Sequence, residues 1–126
     1  MEIREDCSYT REHEWIRKEG DVAVIGITDY AQEQLGEVVY VELPTVGSSL
    51  AVGETFGVVE STKSVSDLYA PIAGEVVEIN AVLVDAPEQV NSAPFSDGWM
   101  IKIRASEGFG ELMSPAQYRE FVGSGA

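Results

Sequence analysis

Short apolar runs of strand length, separated by Gly and Pro, constrain the fold of this chain more than any other feature. Trp15-Ile16 leads into a Glu19-Gly20-Asp21 turn, and residues 22–27 follow as one such run that forms the second arm of a hairpin. Residues 99–104 alternate most clearly, with Trp99, Ile101 and Ile103 on one face and Met100 on the other. Many short strands with Gly- and Pro-rich turns predict a mainly β fold.

The strand pattern also predicts which side chains face inward. On a strand, residues two apart share a face. We therefore expect Val39, Val41 and Leu43 to share one face of the strand at 37–43, and Val77 and Ile79 to share one face of the strand at 75–79. In the strand at 54–60 we expect Phe56 and Val58 to point inward.

Two segments predict helices instead. A cap at Thr28 or Asp29 begins a short helix through Leu35, and Gly36 is placed to end it in the αL conformation. Ser114-Pro115 provides a cap and first residue for a C-terminal helix.

One six-residue segment recurs in the chain. The sequence at 36–41, Gly-Glu-Val-Val-Tyr-Val, returns at 74–79 as Gly-Glu-Val-Val-Glu-Ile. This match indicates either two similar half-units or a coincidence between Val-rich strands.

The length and composition predict one domain over residues 1–126. The chain has 126 residues, 44% of them hydrophobic and 24% charged, which is typical of a folded globular domain. Residues 123–126, Gly-Ser-Gly-Ala, are expected to form a disordered tail.

The net charge excludes nucleic acid as a partner. With 8 basic and 22 acidic residues the formal charge is −14, and no basic stripe interrupts it. Such a surface keeps a protein soluble and monomeric, and it can also steer encounters with basic patches on larger proteins.

The N-terminus and the single cysteine suggest a reducing compartment. Cys7 cannot form a disulfide within the chain, and no signal or transit pattern precedes it. No apolar run reaches membrane-spanning length, so we expect no membrane association. The expected location is the bacterial cytoplasm, or the mitochondrial matrix for a processed eukaryotic form.

Lys63 occupies the most distinctive position in the sequence. It is one of three lysines, and it lies in a small polar tip, Ser61-Thr62-Lys63-Ser64, between two predicted strands. A group attached to its amine would project from the sheet without disturbing the core. A lysine in a turn is, however, usually only a solvated charge.

The sequence around Lys63 resembles the lipoylation segment of glycine cleavage H-proteins. The matching segment is residues 60–80, Glu-Ser-Thr-Lys-Ser-Val-Ser-Asp-Leu-Tyr-Ala-Pro-Ile-Ala-Gly-Glu-Val-Val-Glu-Ile-Asn. Further segments resemble the family in the family's order: 13–15, 26–32, 35–44 and 98–103. Together they span residues 9 to about 122, and several separated motifs in order are far more specific than any one of them.

The resemblance implies a fold, a cofactor and partners. The fold would be a barrel-sandwich hybrid of the lipoyl/biotinyl-domain type with short helices and a C-terminal helix. Lys63 would carry covalent lipoic acid, attached by a lipoate ligase or a lipoyl or octanoyl transferase. The arm would carry the aminomethyl group of glycine from the pyridoxal-phosphate decarboxylase (P-protein) to the tetrahydrofolate-dependent aminomethyltransferase (T-protein). Dihydrolipoamide dehydrogenase (L-protein) would reoxidise it. The chain itself would be a carrier with no catalytic residues.

The resemblance also implies a cleft that shelters the loaded arm. Glu14 and Asp67 match the carboxylates that the family places there, and carboxylates stabilise an ammonium group. Glu12 stands where some relatives have a small hydroxyl residue, so its contribution is left open. Ordinary surface charge is the alternative for Glu14 and Asp67.

Other functions fit the sequence less well. A lipoyl relay that supplies lipoate to other enzymes would need the same Lys63. Biotin attachment is disfavoured because Lys63 lacks flanking methionines. A Cys7–His13 nucleophilic pair lacks a third orienting group, and one His with one Cys cannot supply a metal site. Paired carboxylates for hydrolysis, or an unmodified interaction protein, are the remaining alternatives.

Overall fold

The computed structural model describes residues 1–125. The strands and helices of this part of the chain are β1 Ser8–Tyr9, β2 Glu14–Glu19, β3 Val22–Ile27, α1 Asp29–Leu35, β4 Val38–Glu42, β5 Ser49–Leu50, β6 Thr55–Ser61, β7 Val65–Tyr69, β8 Gly74–Ile79, α2 Val82–Asp85, α3 Gln89–Ser92, β9 Ile101–Ala105 and α4 Pro115–Gly123.

The strands form two antiparallel sheets that share one core. The larger sheet has the order β1-β2-β3-β9-β8-β5, and the smaller has the order β4-β6-β7. Buried residues of both sheets, among them Ile25, Ile103, Val41 and Val59, belong to one apolar cluster. The two sheets therefore pack face to face, and the prediction of a mainly β fold is confirmed.

The β2–β3 hairpin and the helix α1 follow the sequence signals closely. Gly20 turns the hairpin with a φ of 67°, a conformation that favours glycine. Thr28 caps α1, because its Oγ1 accepts a hydrogen bond from Ala31 N at 3.1 Å. The predicted αL conformation at Gly36 is wrong: its φ is 78° but its ψ is −157°. This ψ keeps the backbone extended, so the chain passes directly from α1 into β4.

The prediction of which β4 side chains share a face is wrong at Val39 because β4 contains a β-bulge. The register shifts between Val38 and Tyr40, so Val38 and Val41 are buried and Val39 is exposed. The extra residue of a bulge moves the following side chains to the other face, which sequence alternation cannot show.

β8 carries a bulge at the matching place. Its register shifts between Val76 and Glu78, and Val76 is fully buried while Val77 and Ile79 are only partly buried. Val38 and Val76 occupy the same position of the six-residue repeat, one in each sheet. The backbone irregularity thus follows the sequence repeat, which favours two similar half-units over coincidence.

Two further facing predictions are wrong. A bulge between Thr55 and Gly57 places Val59, rather than Val58, in the core beside Phe56. Met100 is also buried, because it lies just before β9, where its N–H donates to Ile25 O at 2.8 Å and its side chain joins the main core.

The C-terminal helix α4 begins with a complete capping box. Ser114 Oγ accepts from Gln117 N at 3.1 Å, and Gln117 Oε1 accepts from Ser114 N at 2.8 Å. At its other end, Ser124 N and Gly125 N still donate to carbonyls of α4. The predicted disordered tail includes Ala126, which lies outside the described residues, so that disorder stays a prediction.

The helices α2 and α3 are not expected from the sequence, because four residues are too few to show helical periodicity. Asn91 of α3 joins them to the sheet: its Oδ1 accepts from Val38 N at 2.8 Å, and its Nδ2 donates to Gly36 O at 2.8 Å. The helices within residues 1–125 are all too short or too polar to cross a membrane.

Candidate functional site: the Lys63 tip and its neighbouring cleft

Lys63 lies at the exposed tip of the β6–β7 hairpin. Ser61 organises this turn: its N–H donates to Ser64 O at 2.8 Å, and its Oγ accepts from Ser64 N at 3.1 Å and from Lys63 N at 3.3 Å. The tip is therefore held by its own hydrogen bonds, and the predicted strand, polar tip and strand are confirmed.

The tip rests against the end of α1. Thr62 N donates to Glu37 O at 3.0 Å, and a Cβ built at Gly36 would lie 3.3 Å from Lys63 Cε. A side chain at this position would therefore crowd the far end of the Lys63 side chain. The Lys63 side chain therefore lies close to the C-terminal end of α1, the helix that forms one wall of the cleft described below.

The Lys63 amine differs from those of the other lysines. Lys102 Nζ lies 3.4 Å from Glu78 and 5.2 Å from the Trp99 ring, and Lys18 Nζ lies 5.0 Å from the Phe109 ring. Within residues 1–125 no ion pair or cation–π contact engages Lys63. Its nitrogen is thus accessible for acylation.

A cleft of about 300 Å³ lies beside the tip, between α1 and the edge strand β7. It is lined by Glu12, His13, Glu14, Ile27, Tyr30, Ala31, Gln34, Leu35, Val59, Ser66, Asp67 and Leu68. The β7 wall begins only three residues after Lys63. The lining combines apolar side chains with three carboxyl groups and contains no Lys or Arg, a composition suited to a ligand with an apolar stem and a cationic end.

Glu14 is a buried carboxyl group in this cleft. Its side chain is 2% exposed, and its two oxygens accept from Tyr69 N at 2.9 Å and from Thr10 Oγ1 at 3.3 Å. Burial raises the pKa of Glu14 to about 8, and these hydrogen bonds only partly oppose it. The carboxyl group is mostly neutral at pH 7 and can ionise when a cation approaches.

Glu12 and Asp67 are exposed at the same cleft. Thr10 Oγ1 fixes the loop that carries Glu12 and Glu14 by accepting from both backbone N–H groups, at 3.2 Å and 3.3 Å. The structure thus brings together Glu14 and Asp67, the two carboxyl groups that the resemblance indicated, and places Glu12, whose contribution the sequence left open, at the same cleft.

The sequence predicts no role for His13 in this cleft and suggests it only as a partner for Cys7 or as a single metal ligand. The structure does not bring that pair together. Cys7 is buried, which raises the pKa of its thiol to about 12, and its Sγ lies 3.6 Å from Asp6. His13 instead contacts Tyr118 and lines the cleft. The described residues also contain no group of three or more His, Cys, Asp or Glu side chains arranged to bind a metal.

Known proteins share this sequence and structure over nearly their whole length. The family model "Glycine cleavage H-protein" matches residues 7–124. The glycine cleavage system H protein of Anaeromyxobacter sp. (strain K) is 58% identical over 124 residues, covering 97% of each chain. That of Rubrobacter xylanophilus is 56% identical over 117 residues, 93% of this chain and 92% of its own. This chain belongs to the glycine cleavage H-protein family.

The fold of the family agrees as well. A crystal structure of the glycine cleavage system H protein of Mycobacterium marinum superposes with a TM-score of 0.90 at 42% identity, covering 96% of this chain and 99% of that one. The resemblance found from the motifs and the predicted barrel-sandwich fold are both confirmed for this H-protein family member.

Proposed function

We propose that this chain is the lipoyl carrier of a glycine cleavage system, with lipoic acid in amide linkage to Lys63. The observation that carries the proposal is an unpaired lysine amine on a rigid exposed tip, beside a cleft that combines apolar walls with carboxyl groups. The carrier would pass the aminomethyl group of glycine from the P-protein to the T-protein, and the L-protein would reoxidise it.

The tip provides attachment and reach. A ligase or a lipoyl or octanoyl transferase must bring an acyl group to Nζ, and the exposed turn presents that atom without any ion pair to break. When attached, lipoic acid supplies a flexible dithiolane that can carry a one-carbon amine between active sites. The tether raises its local concentration at each docked partner.

The cleft carboxyl groups give a cationic arm a place to rest. Glu14 is mostly neutral when the cleft is empty, and an approaching ammonium group would stabilise its ionised form, so that a proton leaves as the cation enters. Glu12 and Asp67 would attract the cation from the rim. Apolar residues such as Leu35 and Leu68 would exclude the water that hydrolyses such an adduct.

The carrier would work without catalysis of its own, as a single acidic domain and a monomer. Its formal charge of −14 favours docking on basic surfaces of the partner enzymes.

Intact mass spectrometry tests the attachment. Protein made in cells with lipoate and an active ligase should carry one lipoyl increment, and Lys63→Arg should carry none. Lys18→Arg is the matched control and should keep the increment, because Lys18 packs over Phe109 away from the tip. An unmodified parent protein, or a Lys63→Arg protein that is still modified, would contradict the proposal.

A further inference from the structure

A buried chain of hydrogen bonds connects the C-terminal helix to the cleft. Tyr118 of α4 is fully buried, and its Oη lies 2.8 Å from His13 Nδ1 and 2.8 Å from Thr28 Oγ1. Thr28, also fully buried, accepts from Ala31 N at the start of α1. Residues from three distant parts of the sequence thus meet behind the cleft wall.

The donors and acceptors of this chain favour one arrangement of its protons. If Thr28 Oγ1–H donates to Tyr118 Oη, then Tyr118 O–H donates to His13 Nδ1 and every proton has an acceptor. In the reverse arrangement His13 Nδ1–H donates to Tyr118, and Tyr118 donates to Thr28. The Thr28 proton would then lack an acceptor among the described residues, which is costly for a fully buried hydroxyl. Burial raises the pKa of Tyr118 to about 12, so its hydroxyl remains protonated.

We propose that Tyr118 is a positioning residue of the arm cleft. Its hydroxyl donates to His13 Nδ1 and fixes the imidazole as the neutral Nε2–H tautomer, so that His13 can act only as a hydrogen-bond donor through Nε2. The proposal rests on the proposed carrier function, because it gives the wall a task toward the arm.

The backbone of His13 is also fixed, by its conformation and by its hydrogen bonds. His13 has a φ of 65°, an uncommon conformation for a non-glycine residue. Its N–H donates to Thr10 O at 3.1 Å, and its carbonyl accepts from Thr28 N at 3.0 Å. The ring lies between Tyr30 and Phe121, with centroid distances of 4.7 Å and 5.6 Å. A strained backbone fixed on several sides is a frequent feature of functional sites.

With a neutral imidazole, different groups of the cleft can bind the neutral and the cationic parts of the arm. The Nε2–H group can donate to a neutral hydrogen-bond acceptor on a bound arm. Glu14 and Asp67 remain available for the cationic end of the arm, because no imidazolium competes for them. Burial lowers the pKa of His13, which is consistent with this neutral state.

Because His13 is the only histidine of the chain, its ring nitrogens can be observed without ambiguity by long-range ¹H–¹⁵N NMR. At about pH 8, above the usual titration of an imidazole, we expect the parent protein to show the Nε2–H tautomer alone. Tyr118→Phe removes only the hydroxyl and should give a mixture of both tautomers.

Tyr9→Phe is the matched control. The Tyr9 ring stacks on the Tyr118 ring with their centroids 4.5 Å apart. The Tyr9 hydroxyl, however, is hydrogen-bonded to the Arg4 backbone and takes no part in the hydrogen bonds among His13, Tyr118 and Thr28. This variant should keep the parent tautomer.

A second measurement follows the arm itself. In lipoylated protein loaded by the P-protein, release of the amine without T-protein should be roughly 3–10 times faster for Tyr118→Phe, as expected for the loss of one hydrogen bond, and unchanged for Tyr9→Phe. Lipoylation is read separately by mass, so a failed carrier function and a failed positioning role give different results.

A parent protein in the Nδ1–H tautomer or a mixture would overturn the proposal, even if Tyr118→Phe fails to fold. So would a Tyr118→Phe spectrum identical to the parent's, or an unchanged release rate with an altered tautomer.

Discussion

Replacing Glu14 with Gln should remove a pH-dependent cost of folding. The carboxyl group is 2% exposed in the folded protein, and burial raises its pKa from 4.5 to about 8. Between those values the folded state binds more protons than the unfolded state, so the stability of the parent falls as the pH rises. The stability that the protonated Glu14 carboxyl group contributes is fully present below about pH 4.5, falls as the pH rises, and is lost by the time the pH has passed about 8. Gln has no proton to bind and lacks this dependence.

The expected magnitude follows from the two pKa values. Each pKa unit corresponds to about 1.4 kcal/mol, so the whole difference is roughly 5 kcal/mol. Between about pH 5 and pH 8, where both states are partly titrated, the change is about 3–4 kcal/mol. A Gln side chain can still accept from Tyr69 N, and any fixed packing cost shifts its stability equally at all pH values.

Urea unfolding of the two proteins over this pH range measures the effect. The free energy of unfolding of Glu14→Gln minus that of the parent should increase by about 3–4 kcal/mol from pH 5 to pH 8. Glu33→Gln removes an exposed charge from α1 and is the control, with a difference that stays nearly constant. Parallel curves for Glu14→Gln and the parent would refute the argument that burial keeps this carboxyl neutral.

Two further substitutions test the support of the tip. Gly36→Ala should lower the free energy of unfolding by about 1–3 kcal/mol in urea unfolding, because its φ is 78° and its Cβ would press on Lys63 Cε; stability equal to the parent's would show that glycine is not needed there. Asn91→Ala should cost about 1–3 kcal/mol in the same assay, since it leaves Val38 N and Gly36 O without their partner. Ser92→Ala, which loses one exposed hydrogen bond, is its control, and an equal loss for both would contradict the bridging role.

Local signals in the sequence were sufficient for the elements that end in strong turns or caps. The β2–β3 hairpin, α1 and α4 each carry such a signal, at Gly20, Thr28 and Ser114. The prediction of which strand residues face the core was wrong where a bulge shifts the alternation of side chains, as at Val39 and Val58. Bulges depend on how strands pair in three dimensions, which a single strand's pattern does not contain.

Some features of the candidate site could likewise be predicted from the sequence, and others could not. Lys63 and the carboxyl groups lie within motifs that can be recognised in the sequence. The contrast between buried Glu14 and exposed Asp67 cannot be read there, because both are acids beside apolar residues. The contact of His13 with Tyr118 joins residues 105 positions apart, and only the folded structure brings them together.

Exchange of labelled bicarbonate into the carboxyl group of glycine, catalysed by the P-protein, tests the central claim most directly. We predict exchange with lipoylated protein and little exchange with unmodified protein or Lys63→Arg. Lipoylated Lys18→Arg should support exchange as the parent does. Lipoylated parent protein that supports no exchange would contradict a carrier role in glycine cleavage and favour a lipoyl relay. Equal exchange with Lys63→Arg would contradict the role of this amine.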